Sequence, residues 1–326
     1  MIAKEMPSVR IIGADTLRKN VRFEDLIEPV AQAFKQSSEQ KAQNGLIVMF
    51  PAEKCDLGDV YVKAGVLTGR RLFIVKVSPW FAVNAICGQT QGGFIAVFDS
   101  STGHTLAIIN EEHYLSDIRT AAAGAVAARV LAPDQITTAA VLGSGVQAYW
   151  QPIALYGQRP FTHLLLWARN LQKAGLLKTR LEQALPQVEI EVSDDLERVV
   201  RSADVLITAT LSREPLVRGE WLRPGQHITA VGADDATKCE LDAAALRRAR
   251  VFVDSIDTTL ANGDVYRAIQ AGEYNRSQVS GELGDVIAGR SIGRSGPDDI
   301  TIAKLVGIGA QDLAAAETAL EKLSAA

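Results

Sequence analysis

Residues 136–148 read ITTAAVLGSGVQA, and the fold follows from them. The apolar run Ile136–Leu142 ends in Gly143, Ser144 and Gly145, then opens into a sequence fit for a helix. That is the start of a dinucleotide-binding βαβ unit in its G-x-G-x-x-A form. Gly143 permits the tight turn, Gly145 lets the backbone approach a pyrophosphate, and Ala148 is small enough for the helix to lie against the strand. The free N–H groups and positive dipole end of that helix suit the phosphates.

Glycine turns between strand and helix are common, so the surrounding pattern carries the argument. Short apolar strands recur at His163–Ala168, Val188–Val192, Asp204–Thr210, His227–Gly232 and Arg250–Asp254. Helical segments lie between the first of these, near Leu171–Leu185 and Asp195–Ser202. Alternation of this kind predicts an α/β Rossmann domain with a doubly wound parallel sheet. Its candidate cofactor contacts are Gly143, Ser144, Gly145, Val146 and Gln147 in the first turn. Further contacts are expected from Ala168, Arg169 and Asn170 after the second strand, and from Thr208, Ala209, Thr210, Val231 and Gly232 at later strand ends. NAD sites place an acid after the second strand to bind the ribose 2′-OH, whereas NADP sites lack it and offer Arg. Here LLLWARN puts Ala168 and Arg169 there, so NADP(H) is preferred and NAD(H) remains possible.

At 326 residues the chain has room for two domains. A hydrophobic share of 47% and a charged share of 22% are those of a soluble globular protein. A net charge of −4 argues against a dedicated nucleic-acid binder. No apolar run is long enough for a membrane span. MIAKEMPSVR has no signal-peptide core, so the expected location is cytoplasmic. Cys55, Cys87 and Cys239 are scattered and read as reduced thiols, and four histidines without ligand spacing indicate no metal.

Before the nucleotide domain, Asp25–Lys41 has the spacing of an amphipathic helix. Asp59–Val66 and Leu72–Ser78 read as strands, and Phe94–Asp99 pairs with His104–Asn110 across SSTG. Lys63 and Lys76 each sit inside a run otherwise fit for burial. Lysine is almost never fully buried without a partner. Either its stem packs while the ammonium reaches solvent, or both lysines point into one pocket where a ligand carboxylate compensates them. Leu115–Pro133 reads as a helix capped by Ser116 or Asp117 and stopped by Pro133. Arg119 then falls in the first turn, where the dipole disfavours a cation. A surface salt bridge explains it, and so does a guanidinium forked onto a substrate carboxylate.

These residues resemble those of the ornithine cyclodeaminase/mu-crystallin family of nicotinamide-dependent enzymes. The matching stretches are FIVKVSP, DIRTAAAGAVAARVLAP, VLGSGVQA, VLITATLS, ITAVGADDATKCELD, GELGDVIAG and DDITIAKLVGIGAQDLAAA. The resemblance implies a substrate-binding and dimerisation domain from residues 1–133 with 309–326, and a nucleotide domain from 134–308. Homodimers through the substrate domains are implied too. It makes Lys76 and Arg119 ligands of a substrate carboxylate, with Lys76 also taken into the chemistry; Lys63 joins the substrate-binding set on the one-pocket reading of the two lysines. Asp234 becomes the catalytic carboxylate, Lys238 a second basic position and Thr120 a phosphate neighbour. The sequence departs from the family where QNGLIVMF (Gln43–Phe50) lacks an arginine and Ala236-Thr237 replaces a Pro-Gly. Pro152 lies inside the helix after the glycine turn, where a kink or local adjustment is expected.

Asp234 is also placed by the residues themselves, just past the strand HITAVG, where ligands of doubly wound sheets sit. A turn- or helix-capping Asp is the plain alternative, and Asp235 fits it equally well. A carboxylate beside an imine nitrogen can give or take the proton that accompanies hydride transfer. The resemblance therefore leaves open reduction of an α-imino acid, redox-neutral cyclodeamination of ornithine, a linear amino-acid dehydrogenase, and a cofactor-binding protein without turnover. The missing acid and missing arginine favour the reductase. Trp80 and Phe81 suit a pocket wall, a core or a dimer interface, and His227 reads as structural.

Overall fold

The computed structural model describes residues 8–51 and 57–325, so Cys55 lies outside the described residues. In chain order the first part runs β1 (Arg10–Gly13), α1 (Ala14–Asn20), α2 (Ile27–Ser38), β2 (Ala42–Met49), β3 (Gly58–Leu67) and β4 (Leu72–Phe81). It continues with α3 (Ala82–Ile86), β5 (Phe94–Asp99), β6 (Thr105–Asn110) and α4 (Tyr114–Leu131). Next come β7 (Thr138–Leu142), α5 (Val146–Gln158), β8 (His163–Trp167), α6 (Leu171–Ala184), β9 (Glu189–Val192), α7 (Leu196–Ser202) and β10 (Val205–Thr208). The chain goes on through β11 (His227–Ala230), α8 (Ala243–Arg248), β12 (Arg250–Val253), α9 (Ile256–Thr259) and α10 (Gly263–Gln270). It closes with β13 (Val279–Glu282), α11 (Leu283–Ile287), β14 (Thr301–Lys304) and α12 (Gly309–Ala325).

Two compact units result: residues up to Arg119 with those from Ile308 onward, and Thr120–Gly307. The division falls inside α4, upstream of the 133/134 boundary read from the sequence. The reason is that Ala128 and Ala132 bury themselves with Ala139 and Val141 of β7 and Leu164 of β8.

The second unit holds an eight-stranded sheet in the order β13-β12-β14-β11-β10-β7-β8-β9. All its pairings are parallel. Side chains alternate between faces along a strand. Ala139 and Val141 of β7 accordingly enter one apolar cluster, while Ala140 and Leu142 enter another. Both faces are covered, as parallel sheets require. β8 runs one way from β7 and β10 the other, so the glycine turn after β7 stands at the reversal of strand order. α5 continues through a buried Pro152. Its Gln151 lies so close to Gly124 of α4 that a Cβ there would stand 1.9 Å from Oε1. β13 and β14 escaped the sequence reading.

In the first unit β2 to β6 form an antiparallel run, with β1 added in parallel to β6. Lys63 of β3 stands directly opposite Lys76 of β4. Leu46, Lys63, Lys76, Ile95, Ile109 and Ile12 share one face across the strands. α12 packs on β3 and β4, and the backbones all but touch there, since a Cβ on Gly65 would lie 2.2 Å from the Gly309 carbonyl. Asn44 Oδ1 of β2 accepts the Ala310 N–H at 2.9 Å, satisfying an early donor of α12. The segment that lacks the family's arginine thus anchors the last helix.

Candidate active site

In the first unit, Lys63, Lys76 and Arg119 are 4%, 1% and 6% exposed. The solvent-reaching lysine is therefore excluded for both strands. Taking an ion out of water costs several kcal/mol unless it is paired. The pairing comes from α12: Asp312 Oδ1 lies 2.7 Å from Lys76 Nζ and 2.8 Å from Arg119 Nε. Burial alone would raise the Asp312 carboxyl, but Arg119, Lys76 and Lys63 together hold it well below the usual carboxylate range. Arg119 Nη1 also donates to Gln311 Oε1 at 3.2 Å. That bond turns the Gln311 amide nitrogen away, and Gln311 Nε2 and Asp312 Oδ2 are buried without hydrogen-bond partners among the described residues. Lys76 donates to Ser116 Oγ at 3.0 Å.

Ser116 Oγ in turn donates to the buried Glu111 at 2.7 Å, and Glu111 also accepts the Ser116 N–H at 2.7 Å. This corrects the cap: α4 begins at Tyr114, so Ser116 and Asp117 lie inside its first turn and Glu111 satisfies the orphan donor. Arg119 consequently sits in the second turn. Glu112 and His113, just before the helix, have φ of 47° and 65°, a left-handed pair that costs of order 1–3 kcal/mol each. His113 Nε2 lies 2.9 Å from the Pro79 carbonyl. Burial pushes its imidazole below the ordinary range, Glu111 opposes this, and Lys76 and Arg119 add to it. Phe81 lies over Gly58, where a Cβ would be 2.5 Å from its ring.

In the second unit the glycine turn is built as its sequence demands. Gly143 has φ 130°, and a Cβ there would stand 2.3 Å from the Ala209 carbonyl. Gly145 faces open space, with nothing within 4 Å of its would-be Cβ. It precedes α5 without a side-chain cap, so the first N–H groups of a thirteen-residue helix stay available beside exposed Val146. These features fit a dinucleotide pyrophosphate. Gln147 Oε1 accepts from Gln151 at 3.1 Å, and Gln151 also donates to the Thr120 carbonyl at 2.9 Å. After β8, Ala168 is buried, Arg169 is exposed, and Asn170 caps α6 through the Lys173 N–H at 2.9 Å. No acid stands where a 2′-hydroxyl would be read.

Of the other strand-end candidates, the Val231 N–H is given to the Thr208 carbonyl at 2.9 Å. Thr208, Thr210 and Gly232 direct donors inward to Glu240, a residue the sequence reading passed over. Beyond β11, the two aspartates separate. Asp235 is buried and its Oδ1 accepts the N–H groups of Thr237 and Lys238 at 2.6 and 2.9 Å, so it is the turn-capping residue. The Asp234 side chain is 32% exposed and lies 2.6 Å from Lys238 Nζ.

His227 is fully buried; Thr301 Oγ1 already donates to the Leu131 carbonyl at 2.9 Å, so His227 Nδ1–H donates to Thr301 at 2.9 Å and Nε2 accepts from Thr229 at 3.1 Å. Glu240, Glu111, Gln311 and Asp312 were all missed; the last stands as an ordinary acid in the first turn of α12.

Comparison with known proteins bears on both units. The family model described as "Ornithine cyclodeaminase/mu-crystallin family" matches residues 11–326. An uncharacterised cyclodeaminase of Sinorhizobium fredii is 37% identical over 326 residues, covering 97% of this chain and 96% of that protein. The structure of Thermococcus litoralis Δ1-pyrroline-2-carboxylate reductase in complex with NADH and L-proline superposes with a TM-score of 0.90 at 28% identity, covering 97% and 98% of the two chains. An archaeal alanine dehydrogenase dimer with bound NAD gives 0.89 at 27% identity, covering 97% and 96%.

Proposed function

We infer the activity from one premise: this chain belongs to the ornithine cyclodeaminase/mu-crystallin family. On that premise we propose an NAD(P)H-dependent reductase of α-imino acids, cyclic ketimines such as pyrroline-2-carboxylate or piperideine-2-carboxylate foremost. The observation that carries the reading is the buried set Lys76, Arg119 and Asp312, which holds an ammonium and a guanidinium ready for a carboxylate.

In this reading Arg119 and Lys76 bind the substrate carboxylate and Lys63 adds positive potential beside them. A reduced nicotinamide dinucleotide whose pyrophosphate is held at the glycine turn would supply the hydride to the imine carbon. Asp234 would give nitrogen the proton that completes the amine. Lys238, 2.6 Å away, orients that carboxyl. The absence of an acid after β8, with Arg169 exposed there, supports NADPH over NADH. Homodimer formation is supported by the sheet face opposite α12, where Ile47, Met49 and Phe94 are exposed.

A panel of imino acids assayed with NADPH and NADH in parallel tests the proposal. Net NADPH consumption with a cyclic ketimine is expected. Ammonia release from ornithine without net cofactor change would replace it with the cyclodeaminase. NAD-linked oxidation of alanine alone would replace it with the linear dehydrogenase named among the structural relatives.

A further inference from the structure

We infer that Glu240 is the positioning residue of the loop that carries Asp234, an inference that rests on the function proposed above. Glu240 is fully buried. One of its oxygens accepts Thr210 N–H at 2.7 Å and Thr210 Oγ at 2.8 Å. The other accepts Thr208 Oγ at 2.7 Å and Gly232 N–H at 2.9 Å. Thr208 and Thr210 mark the end of β10, and Gly232 follows β11. Gly232 and Glu240 are also the two ends of the segment containing Asp234, Asp235 and Lys238. The carboxylate therefore closes that segment into a loop and pins its base to two neighbouring strand ends. A Cβ on Gly232 would lie 2.4 Å from Glu240 Oε1, so the closure requires glycine there.

The far side is anchored as well. Asp264 Oδ1 accepts the N–H groups of Glu240 and Leu241 at 2.6 and 2.9 Å. Its other oxygen lies 3.0 Å from Lys304 Nζ, on the strand beyond β11, and both side chains are fully buried. A neutral amide cannot replace the acid. Four donors converge on two acceptors, and glutamine offers one oxygen and an NH2 that would face a donor. A buried anion is costly to keep. Here it fixes the base of the loop that carries Asp234, two residues beyond Gly232.

The test compares Glu240→Gln with wild type in two backgrounds, native and Asp234→Asn, using pyrroline-2-carboxylate and NADPH or whichever panel imino acid is consumed. Expected is a kcat loss of at least tenfold in the native background, little change in imino-acid KM, and under twofold change when Asp234 is already Asn. A merely structural role would lower kcat equally in both backgrounds and overturn the inference; so would no loss at all. Amide hydrogen exchange gives a readout independent of turnover: protection should fall in the segments around Thr210 and 232–240 only, and a global loss counts against the inference. Should Glu240→Gln fail to fold, Thr208→Val removes one donor and should show the same background dependence at about threefold. If Asp234→Asn turns over like wild type, the proposed function falls and this inference with it. Loss in Asp234→Asn without background dependence removes the Glu240 inference alone.

Discussion

Asp312 shows how three buried cations are reconciled with an apolar interior. One oxygen serves Lys76 and Arg119 together, and Lys63 acts on the same carboxylate through space. Asparagine at 312 keeps the shape and removes the charge, leaving those cations facing one another. Asp312→Asn should lower unfolding stability by about 3 kcal/mol, the scale for breaking a buried pair. Urea denaturation measures it, and a loss below about 1 kcal/mol would show that the pair is not a main support. Lys63, Lys76 and Arg119 were legible because a charge inside an apolar run, or at the wrong end of a helix, breaks a local rule. Asp312 breaks none, since an acid in a first helical turn is favoured. Its partners lie 236 and 193 residues away, at a distance no local pattern reports. The aspartate pair was half legible: residue types placed one acid at the strand end, and only the hydrogen bonds of Thr237 and Lys238 make Asp235 the cap.

Among the elements, β7 and its turn announced themselves through glycine and apolar run, whereas β14 did not. Thr301–Lys304 is four residues long and ends in a lysine, which reads as a surface turn until Asp264 is found beside it. Yet β14 lies between β11 and β12. His227 ties β11 to it through Thr301. Burial, reinforced by Arg294, pushes the imidazole down to about 3. The folded-state value is thus below the unfolded value of roughly 6.5. Between the two, the unfolded chain binds a proton that the folded chain refuses. This contribution is complete above about pH 6.5 and is lost as pH falls, by up to about 1.4 kcal/mol per unit. Burial also raises the Glu240 and Glu317 carboxyls and lowers His113, so His227 is singled out by comparing unfolding free energies at pH 6 and 5 between wild type and a His227 variant. His227→Gln should flatten the decline seen in wild type over that interval, and an equal decline in both would show that His227 does not set it.

On the scale of the whole molecule, the sheet of the first unit has a second face as apolar as its first. Ile47, Val62, Val77 and Phe94 line up across four strands, with Gly45, Ala64, Val75, Ala96, Ile108 and Ile11 beside them. Exposures of 59% at Ile47 and 73% at Ile11 leave this face open, and it is here that the proposed homodimer would close. Val62→Lys at its centre should convert a dimer to a folded monomer by light scattering, with circular dichroism unchanged. A monomeric wild type, or a variant that stays dimeric, would reject this face as the interface. Alternation in the sequence made the strands readable, but not which face α12 would cover.

β14 and α12 share a further property. One lies between β11 and β12 of the parallel sheet, and the other brings Asp312 to the buried Lys76. During synthesis, domains usually fold as they emerge, earliest residues first. Here both units must wait for segments beyond residue 300, so a nascent chain stalled before them would expose an open sheet and three uncompensated cations at once.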